Sequence, residues 1–110
     1  MTSPLDGGVV LVTGASSGIG KEIVVQIADR AAKIIVVARR IERLEALASE
    51  VAREGLEVII KGCDLGDLEA TAAMVQEVQA SHGPVDVLIN NAGLGDLALF
   101  EHADWDKLRP

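Results

Sequence analysis

Four short apolar runs rich in β-branched residues recur along the chain: Val9–Val12, Ile34–Val37, Val58–Ile60 and Val85–Ile89. Runs this continuously apolar, interrupted only by Asp86 in the fourth, predict strands buried on both faces, because a half-exposed strand would alternate with polar residues. Three longer stretches between them carry helical spacing. Ile19, Ile23 and Ile27 form one stripe and predict a helix from about Gly18 to Arg30. Leu44, Leu47 and Val51 turn inward on a second, from about Glu42 to Arg53, with Gly55 as its stop. A third runs from the N-cap Asp67 to just before Gly83-Pro84, with Ala72, Val75 and Val78 toward the core and Glu69, Gln76, Glu77 and Gln79 toward water. This β-α-β-α-β-α-β alternation predicts an α/β fold, a parallel sheet with helices on both faces. Right-handed crossovers favour the strand order 3-2-1-4, with the switch point between the first and fourth strands. The corner Arg30-Ala31-Ala32-Lys33 lacks the usual glycine; a left-handed Ala31 there would cost about 1 kcal/mol. Past Gly93 the pattern weakens, and Asp104-Trp105-Asp106 reads as the start of a further helix.

The first strand runs directly into Thr13-Gly14-Ala15-Ser16-Ser17-Gly18-Ile19-Gly20. A buried strand that turns through glycines into a helix makes an anion site, because the helix's first N–H groups point out of the turn. Gly14 is expected to allow the tight turn, Gly18 to let backbone approach a phosphate, and Gly20 to let the helix pack closely on the strand. A glycine triplet alone is weak evidence; its strand-turn-helix setting makes it specific.

Composition narrows the reading. The 110 residues suit one small domain. The apolar fraction, 49% with only 2% aromatic, fits helices packed on an aliphatic parallel sheet. A net charge of −7 argues against a broad nucleic-acid surface. No apolar run reaches the ~18 residues of a membrane span, and Met1–Asp6 lacks the basic region of a signal peptide. The single Cys63 cannot form an internal disulfide, so a reducing cytoplasm is expected. Cys63 reads as a small buried hydrophobe. His82, near a helix C-terminus, and His102 make no metal-ligand spacing, so no metal is expected.

Taken together, the sequence resembles the short-chain dehydrogenase/reductase family. The glycine loop matches that family's T-G-x-x-x-G-x-G at every fixed position. Asn90-Asn91-Ala92-Gly93, after the fourth strand, matches its N-N-A-G motif. Asp64-Leu65, after the third strand, matches the pair that by resemblance contacts adenine; Asp64 capping a local turn is the plainer alternative. The resemblance spans Leu5 to Leu108 and implies a Rossmann-type NAD(P)-binding domain over residues 1–110. It implies cofactor contacts from Gly14, Ser16, Ser17, Gly18, Ile19, Gly20, Asp64, Leu65, Asn91, Ala92 and Gly93. Asn91 would lie near the cofactor ribose while its side chain braces the central strands, and Trp105 would anchor the next helix by packing. Cofactor choice follows from charge. An NAD-binding unit places an acid after the second strand, to hold the ribose 2′-hydroxyl. Here that place reads Ala38-Arg39-Arg40, and a planar cation suits a 2′-phosphate. NADP is therefore expected over NAD, the plain alternative being that Arg39 and Arg40 are solvated helix-start residues.

The family's reaction moves a hydride between nicotinamide and a carbonyl or alcohol carbon, with a Tyr-x-x-x-Lys pair as its acid–base group. The chain has no tyrosine, so no catalytic residue can be assigned. The 110 residues are expected to be the cofactor half of an oxidoreductase acting on a small carbonyl or alcohol. The alternative is a non-catalytic dinucleotide-binding or assembly module; a methyltransferase of similar fold is disfavoured by Asn90-Asn91-Ala92-Gly93. A fourth strand left at an edge would expose three or four aliphatic residues at a cost of about 5–10 kcal/mol, comparable to a domain's stability. A homo-oligomer or partner chain is expected for that reason.

Overall fold

The computed structural model describes residues 5–16 and 18–91. The elements follow in the order β1 (Val9–Thr13), α1 (Gly18–Ile27), β2 (Lys33–Ala38), α2 (Ile41–Val51), β3 (Glu57–Gly62), α3 (Leu68–His82) and β4 (Val87–Asn90). The four strands form one parallel sheet in the order β3-β2-β1-β4, as expected. Register is continuous: Val9 lies opposite Lys33, Leu11 opposite both Ile35 and Leu88, and Ala38 opposite Gly62.

Strand alternation sorts the core into two layers. Val10, Val12, Ile34, Val36 and Ala38 point to one face, where Val24 and Ile27 of α1 and Leu44, Leu47 and Val51 of α2 cover them. Leu11, Ile35 and Val37 point to the other, under Met74, Val75 and Val78 of α3. The central strands β1 and β2 are almost wholly buried, while β3 and β4 are half-buried. Among the described residues β4 pairs only with β1. No helix among the described residues is long and apolar enough to cross a membrane.

Several expectations need correcting. Ile19 is 72% exposed, so it leaves the stripe. The buried set on α1 is Gly20, Val24 and Ile27, followed by Ala28 just past the helix. On α3 the inward face is Thr71, Met74, Val75 and Val78, an i, i+3, i+4, i+7 set. That rotation exposes Ala72, expected inside, and buries Gln79, expected outside. Both amide atoms of Gln79 lack hydrogen-bond partners among the described residues. Val85 precedes β4 rather than opening it, yet it is buried at 3% exposure. The feature at Asp104–Asp106 lies outside the described residues.

The corner after α1 carries no strain. No non-glycine residue there, Ala31 included, has positive φ. The N–H groups of Arg30 and Ala31 both donate to the Ile27 carbonyl, and those of Ala32 and Lys33 donate to the Gly8 carbonyl. Gly7, at φ 72°, donates its N–H to the Arg30 carbonyl at 2.8 Å. The segment before β1 thus satisfies the orphan carbonyl that a C-terminal glycine motif would otherwise cover. An Arg30–Asp6 ion pair at 2.9 Å adds to the same junction. The α3 ends are as expected: Asp67 accepts from the Ala70 N–H at 3.1 Å, and Gly83 follows at φ 78°.

Candidate functional site

The C-terminal ends of β1, β2 and β3 open onto a cleft of about 330 Å³, lined by Gly14, Ala38, Arg39, Cys63, Asp64, Leu65 and Gly66. It lies beyond the C-terminal ends of the strands, where open α/β sheets bind ligands.

The turn from β1 into α1 forms one wall. Gly14 has φ 65° and Gly18 φ 62°, backbone values an L side chain rarely adopts. A Cβ on Gly14 would stand 3.0 Å from the Asn91 carbonyl oxygen, whereas one on Gly18 would meet nothing among the described residues. Gly18 therefore presents bare backbone outward. Gly20 is the most confined of the three: its Cβ would fall 2.1 Å from the Gly14 carbonyl oxygen and 2.7 Å from Asn91 Nδ2. The expected close packing at Gly20 is thus against the loop and Asn91. Exposed Ile19 stands beside Gly18 at the helix start, and half-buried Ser16 closes the turn.

A hydrogen-bond network ties this turn to β4. The buried Thr13 hydroxyl donates to Asn90 Oδ1 at 2.9 Å and accepts the Asn91 N–H at 3.0 Å. Asn91 Nδ2 donates to the Gly14 carbonyl at 3.4 Å. The Asn91 side chain therefore braces the glycine turn against the end of β4. Sequence reasoning missed Thr13, although a hydroxyl closing an otherwise aliphatic strand is a readable signal, since a buried polar group needs a partner.

The second wall comes from β2 and β3. Arg39 follows buried Ala38, lines the cleft, and enters no ion pair among the described residues. Arg40 is the N-cap of α2, extended at φ −100° and ψ 99°, with no side-chain cap bond. Leu65 is buried at 7% exposure on the cleft floor. Asp64 Oδ1 accepts the Gly66 N–H at 2.9 Å, so the turn-forming role exists. Its second oxygen takes no hydrogen bond among the described residues and the residue still lines the cleft. Cys63 is buried beside it, 3.8 Å from Thr71 Oγ1, and also contributes to the lining. The structure thus gathers Gly14, Arg39, Asp64 and Leu65 around one cleft, with Gly18 and Gly20 on the adjoining turn and Asn91, after β4, bonded to it; Arg40 is not among the lining residues. Ser17, Ala92 and Gly93 fall outside the described residues.

A twisted parallel sheet with a glycine turn after its central strand, and a cleft beyond the strand ends, defines a Rossmann-type α/β protein. The chain belongs to the short-chain dehydrogenase family, whose profile it matches over residues 8–109. It is 43% identical to a fatty acyl-CoA reductase of Mycobacterium tuberculosis over 89 residues, which cover 81% of this chain and 30% of that protein. It is 40% identical to an 11-beta-hydroxysteroid dehydrogenase of Pinus massoniana over 100 residues, covering 90% of this chain and 28% of the relative. Among solved structures, a metagenomic short-chain oxidoreductase in complex with NADP superposes with a TM-score of 0.75 at 42% identity, over 84% of this chain and 42% of that one. An NAD+-bound xylitol dehydrogenase superposes with a TM-score of 0.74 at 32% identity, over 83% and 35%. The chain thus spans less than a third of the two curated relatives' length.

Proposed function

We propose that this chain is the NAD(P)-binding Rossmann domain of an NADP-dependent short-chain oxidoreductase. The cleft fits the adenosine end of a nicotinamide dinucleotide. Its walls combine a bare-backbone turn at a helix N-terminus, an apolar floor at Leu65, an acceptor at Asp64 and a cation at Arg39. The turn at Gly14–Gly20 would hold the pyrophosphate, Asp64 and Leu65 the adenine, and Asn91-Ala92-Gly93 the ribose nearer the nicotinamide. When bound, the cofactor supplies a hydride to a carbonyl carbon or takes one from an alcohol. This chain's residues bind and orient it; no residue here is assigned to proton transfer. The natural protein would act on a small carbonyl or alcohol in the cytoplasm, with a second copy or another chain as partner.

One observation carries the choice of NADP: at the end of β2 the cleft is lined by Ala38 and by Arg39, which enters no ion pair among the described residues, where an acid would be needed to hold a free 2′-hydroxyl. Arg39 suits a 2′-phosphate, with Arg40 adding positive charge nearby. Calorimetric titration of the natural protein with NADPH and NADH tests this. Tighter NADPH binding is expected, and equal affinities would overturn it.

A further inference from the structure

The start of α2 is held in an unusual way. Its N-cap, Arg40, makes no side-chain cap bond. The Arg40 carbonyl receives the Arg43 and Leu44 N–H groups at 3.2 and 3.4 Å, both long. The Cys63 N–H donates to the Ala38 carbonyl at 3.0 Å and pins the end of β2; past that bond, what seats the corner is apolar. Gly62 closes β3 opposite Ala38, on the sheet face that α2 covers. A Cβ there would lie 2.6 Å from Ile41 Cγ1 and 2.7 Å from Ile41 Cδ1. The Ile41 side chain therefore occupies the volume that a side chain at residue 62 would fill, although Ile41 remains 47% exposed at the rim. Ile41 is β-branched and stiff at χ1 within a helix, so its position is coupled to the backbone of the first α2 turn. That backbone continues directly from Arg39 and Arg40.

We infer that Gly62 and Ile41 act together as positioning residues for Arg39, a peg of Ile41 in the missing side chain of Gly62, and thereby set how strongly the site distinguishes a 2′-phosphorylated adenosine from an unphosphorylated one. The inference rests on the proposed role of Arg39 and goes beyond it by placing the control of that role on the neighbouring strand β3. With no polar cap to fix the corner, adding one methyl at residue 62 pushes on Ile41. The push moves the arginine pair relative to Asp64 and Leu65, which hang from β3. The adenine side of the cleft then stays in place while the phosphate side shifts.

The test is a set of Kd values for 2′,5′-ADP and 5′-AMP, measured by calorimetry on the natural protein and its variants. Gly62→Ala is expected to weaken 2′,5′-ADP by about three- to tenfold, in the range of measured couplings between touching residues, and to leave 5′-AMP within about twofold. Ile41→Ala in the Gly62→Ala background removes the colliding atoms and should restore much of the discrimination. Purely structural damage would lower both affinities together and would not be rescued by a second truncation, which would overturn the inference. Two further outcomes separate the readings. A natural protein that discriminates, with a Gly62→Ala variant that discriminates equally, overturns the peg alone. A natural protein that binds both nucleotides equally overturns the Arg39 reading, and the peg with it. Circular dichroism of each variant confirms a folded sheet before titration.

Discussion

The two corners that frame the cleft are built alike in sequence and differently in space. Each follows a buried central strand and opens a helix. At β1–α1 the backbone is fixed from several sides: two left-handed glycines, a Gly20 with no room for a Cβ, and the Asn91 amide on the Gly14 carbonyl. At β2–α2 there is no positive φ and no side-chain cap; a backbone bond from Cys63 to Ala38 pins the strand end, and an aliphatic contact over Gly62 seats the first turn of α2. The first corner suits a ligand part common to all dinucleotides and leaves little freedom for change. The second suits a ligand part that differs between cofactors, and a small packing change can retune it.

Gly20→Ala should have the largest effect. A methyl placed 2.1 Å from the Gly14 carbonyl oxygen forces backbone apart, and the loss should be about 3 kcal/mol of stability, together with cofactor binding. Thermal denaturation followed by circular dichroism reads it. Gly18→Ala is the control within the same turn. It meets no atom of the described residues, so its cost should be only about 1 kcal/mol of left-handed strain, while dinucleotide affinity falls. Equal losses for the two would break the distinction between confined and bare backbone.

At the second corner, Arg39→Asp should leave the melting temperature nearly unchanged and lower the NADPH preference by about 2 kcal/mol or more, by removing a charged contact and adding repulsion. Parallel NADPH and NADH titrations check this; an unaltered ratio would remove Arg39 from the site. Thr13→Val sharpens the comparison from the other side. It deprives the part-buried Asn91 N–H of its acceptor and should cost about 1–3 kcal/mol in stability, loosening the glycine turn and leaving cofactor preference unaltered.

The smallest effect lies away from both corners. The Lys61 ammonium, largely buried along its stem, donates to the exposed Glu77 carboxylate and holds its pKa below the ordinary glutamate value. Because the folded pKa is depressed, the pair's contribution is present above the unfolded pKa and disappears as the pH falls through the folded one. Salt should screen it. Glu77→Gln should flatten a slight acid-side decline in melting temperature without touching cofactor affinity at neutral pH; an unchanged decline would mean other carboxylates cause it.

The sheet and its order were legible because the signals are local and strong. Aliphatic strands buried on both faces cannot alternate, and right-handed crossovers leave few orders to choose among. The N-cap at Asp67 and the stop at Gly83 were readable for the same reason, since each residue acts on its own turn. Errors arose where a neighbour in space, absent from the local pattern, decides the outcome. Ile19 belongs to the apolar spacing of α1, yet it stands at the helix start and no described residue covers it. Ala72 and Gln79 exchanged places because a weakly amphipathic helix leaves its rotation to the sheet beneath it.

The sequence alone therefore determined the α/β class, the strand order, the glycine turn and the absence of an acid after β2, all of which follow from periodicity and side-chain chemistry read along the chain. Only the tertiary structure decided that Ala31 needs no left-handed backbone, because the Gly7–Gly8 segment reaches the end of α1 through space. Only the tertiary structure set the Thr13 hydroxyl between Asn90 and Asn91, and Ile41 in the empty place at Gly62. These contacts join residues more than twenty positions apart, and such pairings exist only once the sheet has assembled.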